Sequence, residues 1–185
     1  MNDFSYSVTR IRRDERVAGD DPRTTVTELF DRYHAAIFAY LYRLLGDRET
    51  ANDLTQETFV KVYETRHRLA DVENQRAWIY RIATNLAHNA RKRGQRFEWL
   101  SWQQGDDLET LPPDLVGRGE TTAAVERALA ALSPDYRAPL LLYSHDGWSV
   151  EEVAAALGIS QSAVKTRLYR AREMFRRAYA AEVAL

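Results

Sequence analysis

The segment that most constrains the fold lies near the C-terminus and reads VEEVAAALGISQSAVKTRLYRAR, residues 150–172. Ser149 and Glu152 form the S-x-x-E pattern of a capping box, which fixes the start of one helix. Gly158 can adopt the positive φ that commonly follows a helix end, and Ser160 is a favoured N-cap for a second helix. These signals predict two consecutive helices joined by a tight turn.

The second of these helices is predicted to have one apolar face and a polar, basic remainder. The apolar face is formed by residues at helical spacing, namely Val164, Leu168, Ala171 and Phe175. Side chains that can reach phosphates and base edges lie opposite this face: Ser162, Lys165, Thr166, Tyr169 and Arg170. This pattern is typical of a helix-turn-helix whose second helix enters a DNA major groove. The alternative is an αα-hairpin with a solvated basic face, which the caps, the glycine turn and the separation of polarity together disfavour.

Basic residues are concentrated in two segments, although the net charge of the 185-residue chain is only −1. Residues 75–97 contain six basic residues and no acid, and residues 160–177 contain six basic residues and one acid. The segment between them, residues 98–120, contains six acids and one arginine. This distribution predicts two anion-binding surfaces separated by a segment that avoids or mimics an anion, with plain solvated faces as the alternative.

Helical periodicity in the remaining chain predicts an all-α fold of two small helical domains. An apolar series from Leu29 to Leu45 stops at Gly46, a second helix continues to about Glu64, and a third runs to about Arg93. No sustained periodicity is found before Thr25. The predicted organisation is a flexible N-terminal arm (1–24), a first domain (25–96), a flexible acidic linker (97–120) and a helix-turn-helix domain (121–185).

Several classes of protein are disfavoured by what the sequence lacks. There is no cysteine, which excludes disulfides and thiolate ligands, and the four histidines are scattered without an E-x-x-H pattern, so no metal or other cofactor is expected. No nucleophile–base pair or glycine-rich phosphate loop is recognisable, so we expect no catalytic residues and no enzyme. Neither an apolar run of about 20 residues nor a signal-peptide core is present, which favours a cytoplasmic protein.

The helix predicted to end at about Glu64 carries a continuous acidic and amide-bearing face. Its residues stand at i, i+3, i+4 and i+7, namely Asp53, Gln56, Glu57 and Val60. Such a face suits a basic protein partner and repels DNA, and an ordinary solvated face is the alternative.

The third predicted helix combines an apolar side with a basic one. The apolar side is predicted to consist of Trp78, Ile79, Ile82 and Leu86. The other side carries Arg81, Asn85, His88, Asn89 and Lys92, whose amides could hydrogen-bond base edges.

Three segments, taken in order, resemble one family of proteins. DRETANDLTQETFVKVYE contains a D-x-x-Q-E-x-F pattern and resembles the helix with which bacterial sigma factors bind core RNA polymerase. RAWIYRIATNLAHNARKRGQR resembles the helix that melts and reads the −10 element, and ALSPDYRAPLLLYSHDGWSVEEVAAALGISQSAVKTRLYRAR resembles the domain that reads the −35 element. Because a short linker joins the two domains directly, the chain resembles the extracytoplasmic-function (ECF) branch of the sigma-70 family.

The resemblance implies a non-catalytic subunit that directs RNA polymerase to promoters, with core polymerase, promoter DNA and an anti-sigma factor as partners. The implied core-binding residues are Asp53, Gln56, Glu57, Phe59 and Val60. The implied −10 contacts are Trp78, Arg81, Asn85, His88, Asn89, Arg91 and Lys92. The implied −35 contacts are Ser162, Lys165, Thr166, Arg167, Tyr169 and Arg170.

The sequence leaves open how Trp78 acts, what the acidic linker does and which of two functions the protein has. Larger members of the family often pair two tryptophans at the melting position, whereas here Trp78 is followed by Ile79, which favours stringent promoter choice over strong autonomous melting. Trp78 itself is either a wedge in DNA or a core residue, and the acidic linker either mimics nucleic acid or simply avoids it. The rival function is a stand-alone helix-turn-helix regulator with an N-terminal helical sensing domain.

Overall fold

The structure is a computed structural model that describes residues 25–94 and 120–184, with the side chains of residues 25–90 and 123–184. These residues form helices and no strand, so the all-α prediction is confirmed. The predicted N-terminal arm and linker lie outside the described residues, except Glu120, where a helix begins. The α-helices are α1 (Val26–Leu45), α2 (Arg48–Glu64), α3 (Gln75–Gly94), α4 (Glu120–Ala130), α5 (Pro134–Leu140), α6 (Val150–Leu157) and α7 (Gln161–Val183). A 3-10 helix (Arg66–Asp71) precedes α3, and a π-helical turn (Leu141–His145) follows α5.

Local signals set the ends of the first two helices. Thr25 and Glu28 form a capping box at the start of α1. Gly46, with φ of 78°, ends α1, and the Asp47 carboxylate accepts a hydrogen bond from the Thr50 amide at 2.7 Å to begin α2. This two-residue connection turns the chain back on itself, so α1 and α2 pack along each other.

The N-terminal half has its core where α1, α2 and α3 meet. The apolar series predicted for α1 is buried, with Leu29, Ile37 and Leu41 completely inaccessible to solvent. The Tyr40 hydroxyl and the Thr84 hydroxyl are 2.8 Å apart, which ties α1 to α3 and satisfies two buried polar groups.

The helix-turn-helix of the C-terminal half is confirmed together with its capping signals. Ser149 and Glu152 exchange both hydrogen bonds of the capping box, and Gly158 ends α6 with φ of 66°. The Ser160 hydroxyl accepts a hydrogen bond from the Ala163 amide and thereby begins α7. The predicted apolar face of α7 is buried at Val164, Leu168 and Ala171.

The two halves of the chain are packed against each other and share one apolar core. Helix α6 lies against α3 as well as against α7. Arg137 of α5, only 2% exposed, donates a hydrogen bond from Nη1 to the Leu44 carbonyl at the end of α1 over 2.9 Å. The halves therefore form a single packed unit over the described residues, an arrangement that the sequence did not predict.

Candidate functional site

The predicted acidic face of α2 is solvent-exposed for most of its length. Asp53, Gln56 and Val60 are exposed, and Glu57 is half-buried. Phe59 differs from the other predicted contacts because it is buried, with its ring 4.9 Å from that of Phe30 in an edge-to-face arrangement. Phe59 therefore supports the surface from beneath and offers little area to a partner.

An open apolar groove of about 550 Å³ lies beside this acidic face. It is lined by Val26, Thr27, Phe30, Gln56, Phe59, Val60 and Tyr63. Phe30 and Tyr63 were not predicted as surface residues, although they are 42% and 56% exposed. Both residues fit the apolar spacing of their helices, which by itself predicts burial. They are exposed because no other helix of the described residues covers them.

The groove and the neighbouring carboxylates together form an amphipathic docking surface. Exposed aromatic and aliphatic side chains in a concave site are the usual anchors of a protein interface. Asp53 and Glu57, which share a helix face with the lining residues Gln56 and Val60, would attract a basic partner and disfavour the DNA backbone. We call this surface, made of Asp53, Gln56, Glu57 and Val60 with the groove residues Phe30 and Tyr63, the α2 docking surface.

The predicted basic face of α3 is only partly available. Arg81, Asn85 and Asn89 are exposed, whereas His88 is half-buried. Trp78 is partly buried and packs against the common core. Arg91 and Lys92 belong to α3, but their side chains lie outside the described residues.

A second side of α3, which was not predicted as a contact surface, is covered by the C-terminal half. The Tyr80 ring meets the Trp148 indole edge-to-face with centroids 4.7 Å apart, and the Arg76 guanidinium lies 4.1 Å from the centroid of the same indole. The Arg81 guanidinium lies over the turn of the helix-turn-helix, with Nη2 3.0 Å from the position that a Cβ on Gly158 would occupy. One predicted −10 contact therefore touches the C-terminal half.

Charged groups from both halves face each other at this junction. Burial raises the pKa of the Asp146 carboxyl to about 6, and the nearby guanidinium groups of Arg43 and Arg76 oppose that rise. Burial also lowers the pKa of Arg43, while Asp146 and Glu126 act in the other direction. At this junction, desolvation therefore raises the pKa of the Asp146 carboxyl more than the two guanidinium groups lower it.

The predicted −35 residues form an exposed surface on the first half of α7. Ser162, Lys165, Thr166, Tyr169 and Arg170 are exposed, with Tyr169 at 69%. Arg167 is half-buried, and its Nη1 lies 3.5 Å from Oδ1 of Asp135 on α5. Five of the six predicted side chains therefore project to solvent, and Arg167 is directed toward α5.

Two searches of the described part of the chain, for metal-binding side-chain groups and for membrane-spanning helices, found no candidate. No group of three or more histidine, aspartate or glutamate residues there could hold a metal ion. None of the helices in that part is both long enough and apolar enough to span a bilayer.

The exposed basic face of α7 and the separate amphipathic surface of α2 are together typical of a DNA-binding protein that also engages another protein. Two family models divide the chain in the same way: "Sigma-70 region 2" matches residues 29–97, and "Sigma-70, region 4" matches residues 122–175.

Individual relatives and solved structures agree with these matches. The chain is 33% identical over 144 residues to the ECF RNA polymerase sigma factor SigL of Mycobacterium tuberculosis, covering 76% of this chain and 81% of SigL. It is 28% identical to the ECF sigma factor SigX of Bacillus subtilis, covering 80% of each chain. The sigma factor RpoE of Bartonella quintana, solved in complex with the anti-sigma factor NepR, superposes with a TM-score of 0.65 at 25% identity, covering 82% of this chain and 94% of RpoE.

The chain belongs to the ECF branch of the sigma-70 family. It is a promoter-directing sigma factor, and the rival function of a stand-alone regulator is not supported by these matches.

Proposed function

We propose that the α2 docking surface binds core RNA polymerase, that the exposed face of α3 contacts the −10 element, and that the first half of α7 reads the −35 element. The observation that carries this assignment is the separation of two surfaces of opposite character. The α2 docking surface is acidic and apolar, whereas the exposed face of α7 is basic and polar. A protein partner fits the first surface and a polyanion fits the second.

The assignment of the −35 contacts follows from the geometry of α7. Lys165 and Arg170 can contact guanine edges or phosphates, and Thr166 and Tyr169 can add methyl, hydroxyl or stacking contacts. Arg167 already faces Asp135, so we assign it to positioning α7 and not to direct readout.

The assignment of the −10 contacts rests on Arg81, Asn85 and Asn89, which are the exposed members of the predicted set on α3. Trp78 packs on the core, which supports a structural role for its ring in this arrangement of the chain. Arg91 and Lys92 extend the same helix, and we retain them as proposed contacts on the sequence alone.

The partners follow from this division of labour. We propose that core polymerase and promoter DNA are engaged in the cytoplasm and that the chain contributes no catalytic group. The sigma factor RpoE was solved in complex with the anti-sigma factor NepR, and the structurally similar CnrH was solved in complex with the cytosolic domain of CnrY. By analogy, we propose an anti-sigma protein as a further partner of this chain.

A pair of variants tests the docking assignment. Val60→Asp places a charge in the apolar groove and should weaken core polymerase binding by about ten-fold or more, the loss typical of a central interface residue. Val183→Asp is the matched control, because both valines are exposed helical residues, at 53% and 62%. Equal affinities of the two variants for core polymerase would contradict the docking assignment.

A second pair tests the recognition assignment in reconstituted holoenzyme. Lys165→Ala should leave core binding intact and reduce transcription from the promoters that the wild type selects, as mapped by transcript 5′ ends on genomic template. The control is Arg176→Ala, three turns further along α7, where the guanidinium pairs with Glu173. An unchanged set of transcript starts for Lys165→Ala would contradict its assignment to promoter readout.

A further inference from the structure

The α2 docking surface gathers exposed apolar side chains in one place. Phe30, Val60 and Tyr63 are 42%, 53% and 56% exposed, and all three line the same groove. Single exposed apolar residues are ordinary on a protein surface, whereas several in one concave site indicate a binding surface. A ligand of this groove therefore needs apolar side chains of its own.

The floor of the groove is already formed in the free chain. The Phe30 ring lies 4.9 Å from the buried Phe59 ring and 4.6 Å from the His34 ring, measured between centroids. These ring contacts hold Phe30 in place before any ligand arrives. A preformed site of this kind binds with a smaller loss of side-chain entropy, so even a short ligand can occupy it.

The charges beside the groove define the second requirement for a ligand. Lys61 of α2 pairs with Glu64, with Nζ 2.8 Å from Oε2. Asp53 and Glu57, in contrast, are in no ion pair with another described residue. The ligand should therefore combine apolar side chains with cations and contain few acids.

The sequence before α1 contains a segment with this chemistry. Residues 4–13, FSYSVTRIRR, contain three arginines, no acid and four apolar or aromatic residues, namely Phe4, Tyr6, Val8 and Ile11. We call residues 4–13 the cationic arm segment. Residues 14–24 contain four acids and two arginines, and residues 98–120 contain six acids and one arginine. Both of those segments would be repelled by Asp53 and Glu57, so only the cationic arm segment is complementary to the surface.

The chain connectivity brings the cationic arm segment close to the groove. Val26 and Thr27, the first two residues of α1, line the groove themselves. Residues 14–24 can span roughly 35–40 Å at about 3.3–3.6 Å per residue, which is ample for a return to a groove that begins at residue 26. A connection of this length keeps the segment at an effective concentration in the mM range.

We propose that the cationic arm segment occupies the α2 docking surface in the free chain and that core polymerase must displace it. Its apolar side chains enter the groove, and Arg12 and Arg13 face Asp53 and Glu57. The arm thereby acts as a tethered competitor for the surface. Displacement by polymerase rests on the proposed function, whereas occupancy is a property of the free chain.

A tethered competitor lowers the apparent affinity for polymerase by a calculable factor. At an effective concentration of about 1 mM, a segment with an intrinsic dissociation constant of about 0.1–0.3 mM occupies the surface in about three- to ten-fold excess over the open form. Only the open fraction binds polymerase, so the apparent affinity falls by about four- to ten-fold. Abolishing occupancy should restore that factor.

Paramagnetic relaxation in the full chain tests occupancy directly. The sequence contains no cysteine, so Ser7→Cys provides a unique site for a spin label within the cationic arm segment. In the isotope-labelled free protein, the label should broaden the amide resonances of Val60 and Tyr63 strongly. The resonances of Ala181 and Val183, at the end of α7, serve as the internal reference and should be broadened much less.

A charge reversal in the arm and a matched reversal elsewhere separate specific occupancy from a general effect of charge. Arg12→Glu with Arg13→Glu should remove the broadening at α2 and raise the apparent affinity for core polymerase by about four- to ten-fold. Arg176→Glu with Arg177→Glu on α7 is the matched control, because it makes the same change in net charge at two exposed positions. The control should leave the broadening at α2 unchanged.

The possible outcomes distinguish this proposal from the function on which its consequence rests. Uniform broadening, or broadening centred on the exposed face of α7, would overturn occupancy. Broadening that arises equally between a spin-labelled chain and a separate isotope-labelled chain would also overturn it and would identify a second copy as the occupant. Broadening at α2 that the arm reversal removes, without any change in polymerase affinity, would support occupancy and contradict the docking assignment.

Discussion

Replacing Arg137 with alanine should lower the free energy of unfolding by about 3–5 kcal/mol. The residue is 2% exposed, and its guanidinium donates three hydrogen bonds to backbone carbonyls. Nη1 reaches the Leu44 carbonyl at 2.9 Å, and Nη2 reaches the carbonyls of Leu132 and Ala130 at 2.9 and 2.6 Å. The side chain therefore joins the end of α1 to the connection between α4 and α5.

The magnitude follows from the balance between lost bonds and relieved desolvation. Hydrogen bonds to a charged group contribute about 1.5–3 kcal/mol each, so three of them give roughly 5–9 kcal/mol. Removing the buried cation recovers several kcal/mol of desolvation free energy, which reduces the expected loss. The carbonyls of Leu44 and Leu132 are left buried without a donor, because alanine is too short to reach them, so the net effect stays destabilising.

Denaturant unfolding monitored by far-UV circular dichroism measures this loss, with Arg127→Ala as the control. Arg127 is another arginine of the C-terminal half, but it is 52% exposed and pairs with Glu182 at the surface, where an ion pair contributes about 0–1 kcal/mol. The reasoning would be refuted if Arg137→Ala lost no more stability than Arg127→Ala.

Three further outcomes are expected. Asp146→Asn should become more stable relative to the wild type by about 2–3 kcal/mol between pH 4 and pH 7. Burial raises the pKa of the native carboxyl to about 6, against an ordinary value of 3.8 in the unfolded chain, so the native form binds more protons between these two values. The stabilising contribution of this group is therefore lost as the pH rises through 6. A constant difference in urea midpoints across that range would contradict the burial of Asp146. Ser149→Ala should cost about 0.5–2 kcal/mol in thermal unfolding, because it removes the acceptor for the Glu152 amide, whereas Ser149→Asn should recover most of that loss. Lys165→Ala should reduce the slope of log affinity against log salt concentration for holoenzyme and promoter by about one if it binds a phosphate, and both slope and promoter preference would stay unchanged if it binds no DNA.

Most of the local architecture could be predicted from the sequence because its determinants lie within one or two helical turns. Ser149, Gly158 and Ser160 mark the helix-turn-helix through hydrogen bonds and a backbone conformation that involve near neighbours only. The exposed faces of α2 and α7 could be predicted for the same reason, since helical spacing alone determines which side chains share a side.

The candidate site was less predictable wherever exposure depends on a distant part of the chain. Phe30 and Tyr63 fit an apolar helical pattern as well as any core residue, yet they line an open groove. Conversely, no sequence pattern near Tyr80 and Arg76 distinguishes them from their neighbours. They are structurally important because both pack against the indole of Trp148, which is about 70 residues away in the sequence. Phe59 was expected among the contacts and is instead buried beneath them.

The sequence by itself determined that this chain forms helices and where they begin and end. It also determined that the chain carries the motifs of an ECF sigma factor. Capping, periodicity and charge distribution could be recognised because each depends only on residues that are close together in the chain. Only the tertiary structure decided that the two halves meet along α3 and α6. That meeting depends on the apolar area that distant helices bury together, and a contact between segments far apart in the chain leaves no periodic trace in either of them.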